Sequence, residues 1–190
     1  MTLFRTAGPD AEPVTLADAK AELRIDHDAE DDLINGLIRA ACEEVEQTTG
    51  LAMIEQSWRL ALDCIPQDGL VLLRRGPVRE VTAVTAYGSD GEASLIAPAD
   101  YQLDPLSRPA RLHFDVLPGD LRALNGIEID FTAGYGEAAT DVPDLLKRAM
   151  LTLVAHWFEF RASFGAEHQP VSMPDGYRRL LSSFIARRLD

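Results

Sequence analysis

The sequence predicts an α+β protein. It reads as mainly an α-helical bundle, an N-terminal helix pair with a C-terminal helix pair, carrying an inserted antiparallel β-rich subdomain. Two observations predict this. Apolar residues recur at helical spacing before residue 52 and again after residue 142, whereas between them the period drops to two. The strand candidates in the middle are joined by short, non-helical connections, which suit antiparallel pairing. A length of 190 residues fits one domain, or one domain with an insert. The expected division is a flexible N-terminal tail at 1–13, the N-terminal helices of the helical body at 14–52, the β-rich insert at 53–136, and the C-terminal helices at 137–190.

The first helix starts at Thr15, a good N-cap, with Asp18 at its third position completing a capping-box pattern. Leu16, Ala19 and Leu23 share one face. In "DHDAEDD", Asp28 is placed to cap a second helix, with Glu30, Asp31 and Asp32 in its first turn, near the positive helix end. Leu33, Leu37, Ala41 and Val45 repeat every four residues, with Ile34 and Ile38 beside them, and Gly50 suits the helix stop.

The middle zone alternates. Trp58, Leu60, Leu62 and Cys64 fall on one side of a strand, with Arg59, Ala61 and Asp63 on the other. "LVLL", "VTAVTAY", "YQLD" and "RLHF" supply further strands, and Asp90-Gly91 is a hairpin signal. "IEIDF" places Ile127, Ile129 and Phe131 inward and Glu128 and Asp130 outward. "FTAGYG" then follows. It shares letters with the filter of potassium channels, but no membrane helices surround it, so it reads as a turn in which Gly134 or Gly136 takes positive φ. Pro143 opens a helix with a wide apolar face, from Leu145 and Leu146 to Trp157 and Phe158, which predicts a largely buried helix. Pro174 opens the last helix, with Tyr177, Leu180, Leu181, Phe184 and Ile185 on its apolar side.

Charge bounds the function. The net charge of −13 is unevenly placed: residues 1–50 carry 12 acids against 4 bases, residues 51–141 carry 14 against 7, and residues 142–190 carry 5 against 7. Most of the chain repels phosphates, which argues against ordinary nucleic-acid binding, while the basic C-terminal end suits an acidic partner. The two cysteines, Cys42 and Cys64, form no disulfide framework and read as small core hydrophobes. The N-terminus lacks a signal peptide's apolar segment, and "AMLTLVAHWF" is about half a membrane span, so a soluble protein of the cell interior, without membrane contact, is expected.

Catalytic patterns are missing. The acidic run Asp26–Asp32 lacks the spacing and glycine of a calcium loop, and reads as an acid-rich helix start. His156 and Glu159 lie one turn apart, yet there is no H-E-x-x-H; His156 is expected at the edge of the core. No cofactor, metal or catalytic residue is expected. Arg74, Arg75 and Arg79 flank a turn. Arg178, Arg179, Arg187 and Arg188 decorate the last helix as solvated charge or as a docking surface for carboxylates.

The series as a whole resembles the head–tail connector (adaptor) proteins of long-tailed phages and gene transfer agents. "VTLADAKAELRID" leads into "EDDLINGLIRAACEEVEQTTG"; "RGPVREVTAV" and a "DG" turn follow; the chain then runs through "IEIDFTAGYG" and "VPDLLKRAMLTLVAHWFEFR" to "MPDGYRRLLSSF". The order and spacing of these segments, from Val14 to Phe184, carry the resemblance. It implies a virion structural protein made in the bacterial cytoplasm and placed at the head–tail interface of the particle. Such adaptors form a homo-oligomeric ring, typically of twelve, beneath the portal protein. The ring extends the channel through which DNA passes and carries the downstream tail or stopper protein. The C-terminal segment engages the portal, which on this chain points to Tyr177, Arg178, Arg179, Arg187 and Arg188. The other reading is a non-enzymatic intracellular protein-binding module with a β-rich insert.

Overall fold

In a computed structural model, residues 1–160 and 173–185 are described. They divide into two units, each discontinuous in sequence: Met1–Asp10 with Glu55–Glu137, and Ala11–Ile54 with Ala138–Asp190.

The first unit is built on β-strands, with one turn of 3-10 helix at Pro98–Asp100. Strands β1 (Thr2–Ala7), β2 (Gln56–Leu62), β8 (Ile127–Ala133), β4 (Val78–Tyr87) and β5 (Ala93–Leu95) form an antiparallel sheet in that order. A second sheet has the order β3 (Leu70–Leu73), β7 (Ala110–Phe114), β6 (Tyr101–Asp104), again antiparallel. Central strand β8 follows its sequence alternation. Ile127, Ile129 and Phe131 are fully buried and stand opposite Leu62, Leu60 and Trp58 of β2.

On the other face of β8, charge pairs lock the register. Arg59 lies directly across from Asp130 and grips its carboxylate with two hydrogen bonds, Nε to Oδ1 at 2.7 Å and Nη2 to Oδ2 at 2.8 Å. Its Nη1 reaches Glu128 at 3.0 Å, and the Tyr87 hydroxyl donates to Glu128 at 2.9 Å. A bidentate pair of this kind adds geometric specificity to attraction. The hydrogen bonds to Asp130 also raise the Arg59 pKa further above its already high value.

The hairpin read from Asp90-Gly91 joins β4 to β5, with Gly91 in the left-handed region at φ 86°. In "FTAGYG", Gly134 has φ 148° and donates its N–H to the Pro77 carbonyl at 2.9 Å, while the Gly136 carbonyl accepts from Glu55 at 2.8 Å. The segment is therefore a hydrogen-bonded strand end.

The second unit is helical: α1 (Leu16–Leu23), α2 (Asp31–Thr49), α3 (Asp144–Phe160) and the short α4 (Tyr177–Leu181). The capping box forms as read. Asp18 N–H donates to Thr15 Oγ1 at 3.1 Å, and the Asp18 carboxylate accepts from Thr15 Oγ1 at 2.6 Å and from Thr15 N–H at 3.0 Å, bonds that together hold that carboxyl below its usual range. Lys20 of α1 bridges Asp28 at 2.6 Å and Asp31 at 2.9 Å, tying α1 to the start of α2. Ile34, Ile38, Ala41 and Val45 line the buried face of α2, which ends at Gly50 with φ 72°. Leu146, Ala149, Met150, Leu153 and Val154 give α3 its core face.

Several expectations are corrected. The α+β class holds, but the molecule is not mainly a helical bundle. Eight strands in two antiparallel sheets stand beside four helices among the described residues. The middle segment holds more paired backbone than its short apolar runs suggest, because strands are defined by partners distant in sequence. Residues 1–13, expected as a flexible tail, contain β1, which gains its definition from pairing with β2. Asp28 is a partner of Lys20, while the second helix begins at Asp31. Cys64 is exposed just beyond the end of β2 and Cys42 is half-buried, so neither is fully in the core.

Two outcomes follow. Phe131→Ala empties a fully buried site in the central strand and should cost about 3–5 kcal/mol, read by denaturant unfolding. Asp104 accepts from Ser107 Oγ at 2.6 Å and Arg111 Nη2 at 2.6 Å, bonds that hold its pKa at about 2. A depressed carboxylate stabilises the fold above its unfolded pKa, and that contribution fades as pH falls through about 2. Asp104→Asn should therefore lower the melting temperature at neutral pH and flatten its decline between about pH 4 and pH 2. Melting curves with unchanged pH dependence would refute the assignment.

Candidate interaction site

Helix α4 carries the described part of the expected docking segment. Gly176 precedes it with φ 85°, a left-handed conformation that glycine adopts without strain, and its carbonyl accepts from Arg179 at 3.0 Å. Tyr177 and Leu181, one turn apart, are 2% and 0% exposed and anchor the helix in the helical unit. Burial pushes the Tyr177 phenol up to about 12, with the Glu44 carboxylate adding in the same direction. The anchoring turns Arg178 and Arg179 outward, and both are exposed. The structure thus separates residues that sequence grouped together: Tyr177 is a core side chain and offers no surface to a partner. Arg187 and Arg188 lie outside the described residues.

A groove of about 560 Å³ lies between α1 and α3, floored by Val14, Ala21 and Leu151. Its rim charges are already matched: Arg148 pairs with Glu22 at 2.8 Å, Lys147 with Asp144 at 2.8 Å, and Asp18 closes the capping box. These pairs leave little uncompensated charge for recognising an ionic ligand. Among the described residues no group of three or more His, Cys, Asp or Glu is placed to hold a metal, and no helix is long and apolar enough to cross a membrane. His156 lies half-buried, its ring 4.5 Å from that of Phe160.

One surface escaped the sequence reading. The connection between β7 and β8, residues 115–126, exposes Val116, Leu117 and Leu124. Their signal was the presence of large apolar side chains, without helical or strand period, in the turn-rich stretch "DVLPGDLRALNG".

Comparison with known proteins bears on the chain as a whole. Residues 13–68 match the family described as phage gp6-like head-tail connector protein. These residues cover α1, α2 and β2. No curated protein sequence matches the chain. By structure, the chain is similar to one in the neck of an empty gene transfer agent particle computed with C6 symmetry. That likeness has a TM-score of 0.82 at 26% identity and covers 100% of this chain and 97% of the other. A chain in the virion of a native gene transfer agent particle gives 0.79 at 28%, and one in the native neck computed with C12 symmetry gives 0.78 at 26%, each with the same coverage. By sequence over its N-terminal helices and by fold over its full length, the chain is similar to the head–tail connectors of phages and the neck proteins of gene transfer agents.

Proposed function

We propose that this protein is a structural connector subunit of a phage or gene transfer agent particle, placed at the head–tail interface and without catalytic activity. The observation that carries this reading is the full-length match, 100% of this chain against 97% of a gene transfer agent neck chain. A match limited to the helices would support only a shared module. Here both units are matched together.

In this reading the chain closes into a ring beneath the portal. The C6 and C12 symmetry of the similar necks supports a ring, and twelve copies fit both. Cyclic closure needs a head-to-tail interface, with two different surfaces meeting between neighbours. The net charge of −13 per copy supports a channel wall that repels DNA phosphates, so that DNA passes without adhering. It also opposes self-association at low salt, which suits assembly on the portal in preference to free solution. Arg178 and Arg179 dock against carboxylates of the portal, for which guanidinium groups are suited by their paired donors. Arg187 and Arg188 extend the same basic segment in sequence.

The test mixes the purified chain with the portal protein of the same particle and sizes the product. The wild type should co-elute as a ring complex. The doubly reversed variant, Arg178→Glu with Arg179→Glu, should keep its fold and lose co-elution by about tenfold or more in affinity. Undiminished binding by that variant would overturn the docking assignment, while a wild type that never binds the portal would overturn the connector reading itself.

A further inference from the structure

The loop at 115–126 contains no helix or strand, yet it is tied down at its start, where Asp115 N–H donates to the Asp100 carbonyl at 2.9 Å, and again from Asp120 to Gly126. Asp120 accepts from Ser89 twice at 2.9 Å, at its backbone carbonyl and at its carboxylate. Arg122 donates its backbone N–H to Tyr87 at 3.0 Å, lays its guanidinium over the Tyr87 ring at 3.9 Å, and closes on the Asn125 carbonyl at 2.7 and 2.9 Å. Asn125 N–H donates to Asp63 at 2.9 Å. Gly126 leaves no room for a side chain, since a Cβ there would stand 2.6 Å from the Asp63 carbonyl oxygen.

This bracing fixes Leu124 and both ends of the short stretch that carries Val116 and Leu117, and all three hold apolar side chains out to solvent. Val116 is 63% exposed, Leu117 44% and Leu124 72%. A folded chain rarely fixes a loop merely to wet its leucines, and apolar surface on a rigid loop marks a contact site. Rigidity also lowers the ordering cost of binding. The flanking charge is net negative: Asp115 and Asp120 on the loop, with Asp90 and Glu92 on the β4–β5 hairpin that holds it, outnumber Arg122, whose guanidinium is taken up by the Tyr87 ring and the Asn125 carbonyl.

We propose that the 115–126 loop is a preorganised docking knob for a second neck or tail component, one whose surface offers an apolar groove rimmed by lysine and arginine. The claim rests on the connector reading above. Charge complementarity selects the occupant. A second copy of this chain fits poorly, because residues 1–141 hold 26 acids against 11 bases. The remaining basic segment is committed to the portal in that reading.

The experiment places a photo-crosslinking amino acid at Leu124, with Glu43 of the helical unit as the comparison position, and illuminates intact particles. Position 124 should give an adduct with a different neck or tail protein, identified by mass spectrometry, and position 43 should not give that adduct. An adduct only with a second copy, or no adduct, overturns the proposal. In parallel, Leu117→Asp with Leu124→Asp should leave portal co-elution intact and reduce tailed particles by about tenfold or more. An unchanged yield of tailed particles also overturns it. If the chain is missing from particles altogether, the connector reading falls, and this proposal falls with it.

Discussion

Strand β8 is the element on which the β unit depends. It pairs along its full length with β2 on one side and with most of β4 on the other. Its inward side chains, Ile127, Ile129 and Phe131, are fully buried, and its outward carboxylates, Glu128 and Asp130, share the Arg59 guanidinium. A slip of one residue would send the charges into the core and the apolar side chains to solvent. Apolar burial and ionic pairing therefore specify the same register from opposite faces. Arg59 also separates two like charges two residues apart on one strand, which would repel each other without it.

The helical unit is held together differently. Its helices are short-range products, begun and ended by local chemistry, and Lys20 joins the first two through two carboxylates. Helix α4, five residues long, has too few turns to be stable alone and owes its order to Tyr177 and Leu181. The same anchoring decides which of its residues can meet another molecule. The two units therefore present different chemistries outward, guanidinium groups on a tethered helix and leucines on a braced acidic loop.

Legibility in the sequence followed the range of the interactions. The Thr15–Asp18 box, the Gly50 stop and the alternation at 127–131 were readable because each is settled by neighbours in the chain. The division of the strands into two sheets was not, since it depends on partners such as Leu70 with His113. The strand at Thr2–Ala7 has no strong period of its own, and its pairing with β2 spans the helices. At the C-terminal helix, spacing put Tyr177 on the apolar side, yet the resemblance grouped it with the arginines as a contact residue. Its burial shows that the helical period was the better guide. The exposed leucines of 115–126 were overlooked because apolar residues without a period carry no structural signal until their surroundings are known.

The position of β1 has a consequence for the order of events during synthesis. This strand leaves the ribosome before both helices α1 and α2, but its partner β2 begins only at Gln56. At roughly 5–20 residues per second, β1 waits several seconds with no strand to pair with. Helices form far faster than that, so α1 and α2 can be complete while β1 is still open. The β-sheet edge that is made first is thus among the later parts to be sealed, and β8, which completes the sheet's centre, arrives later still.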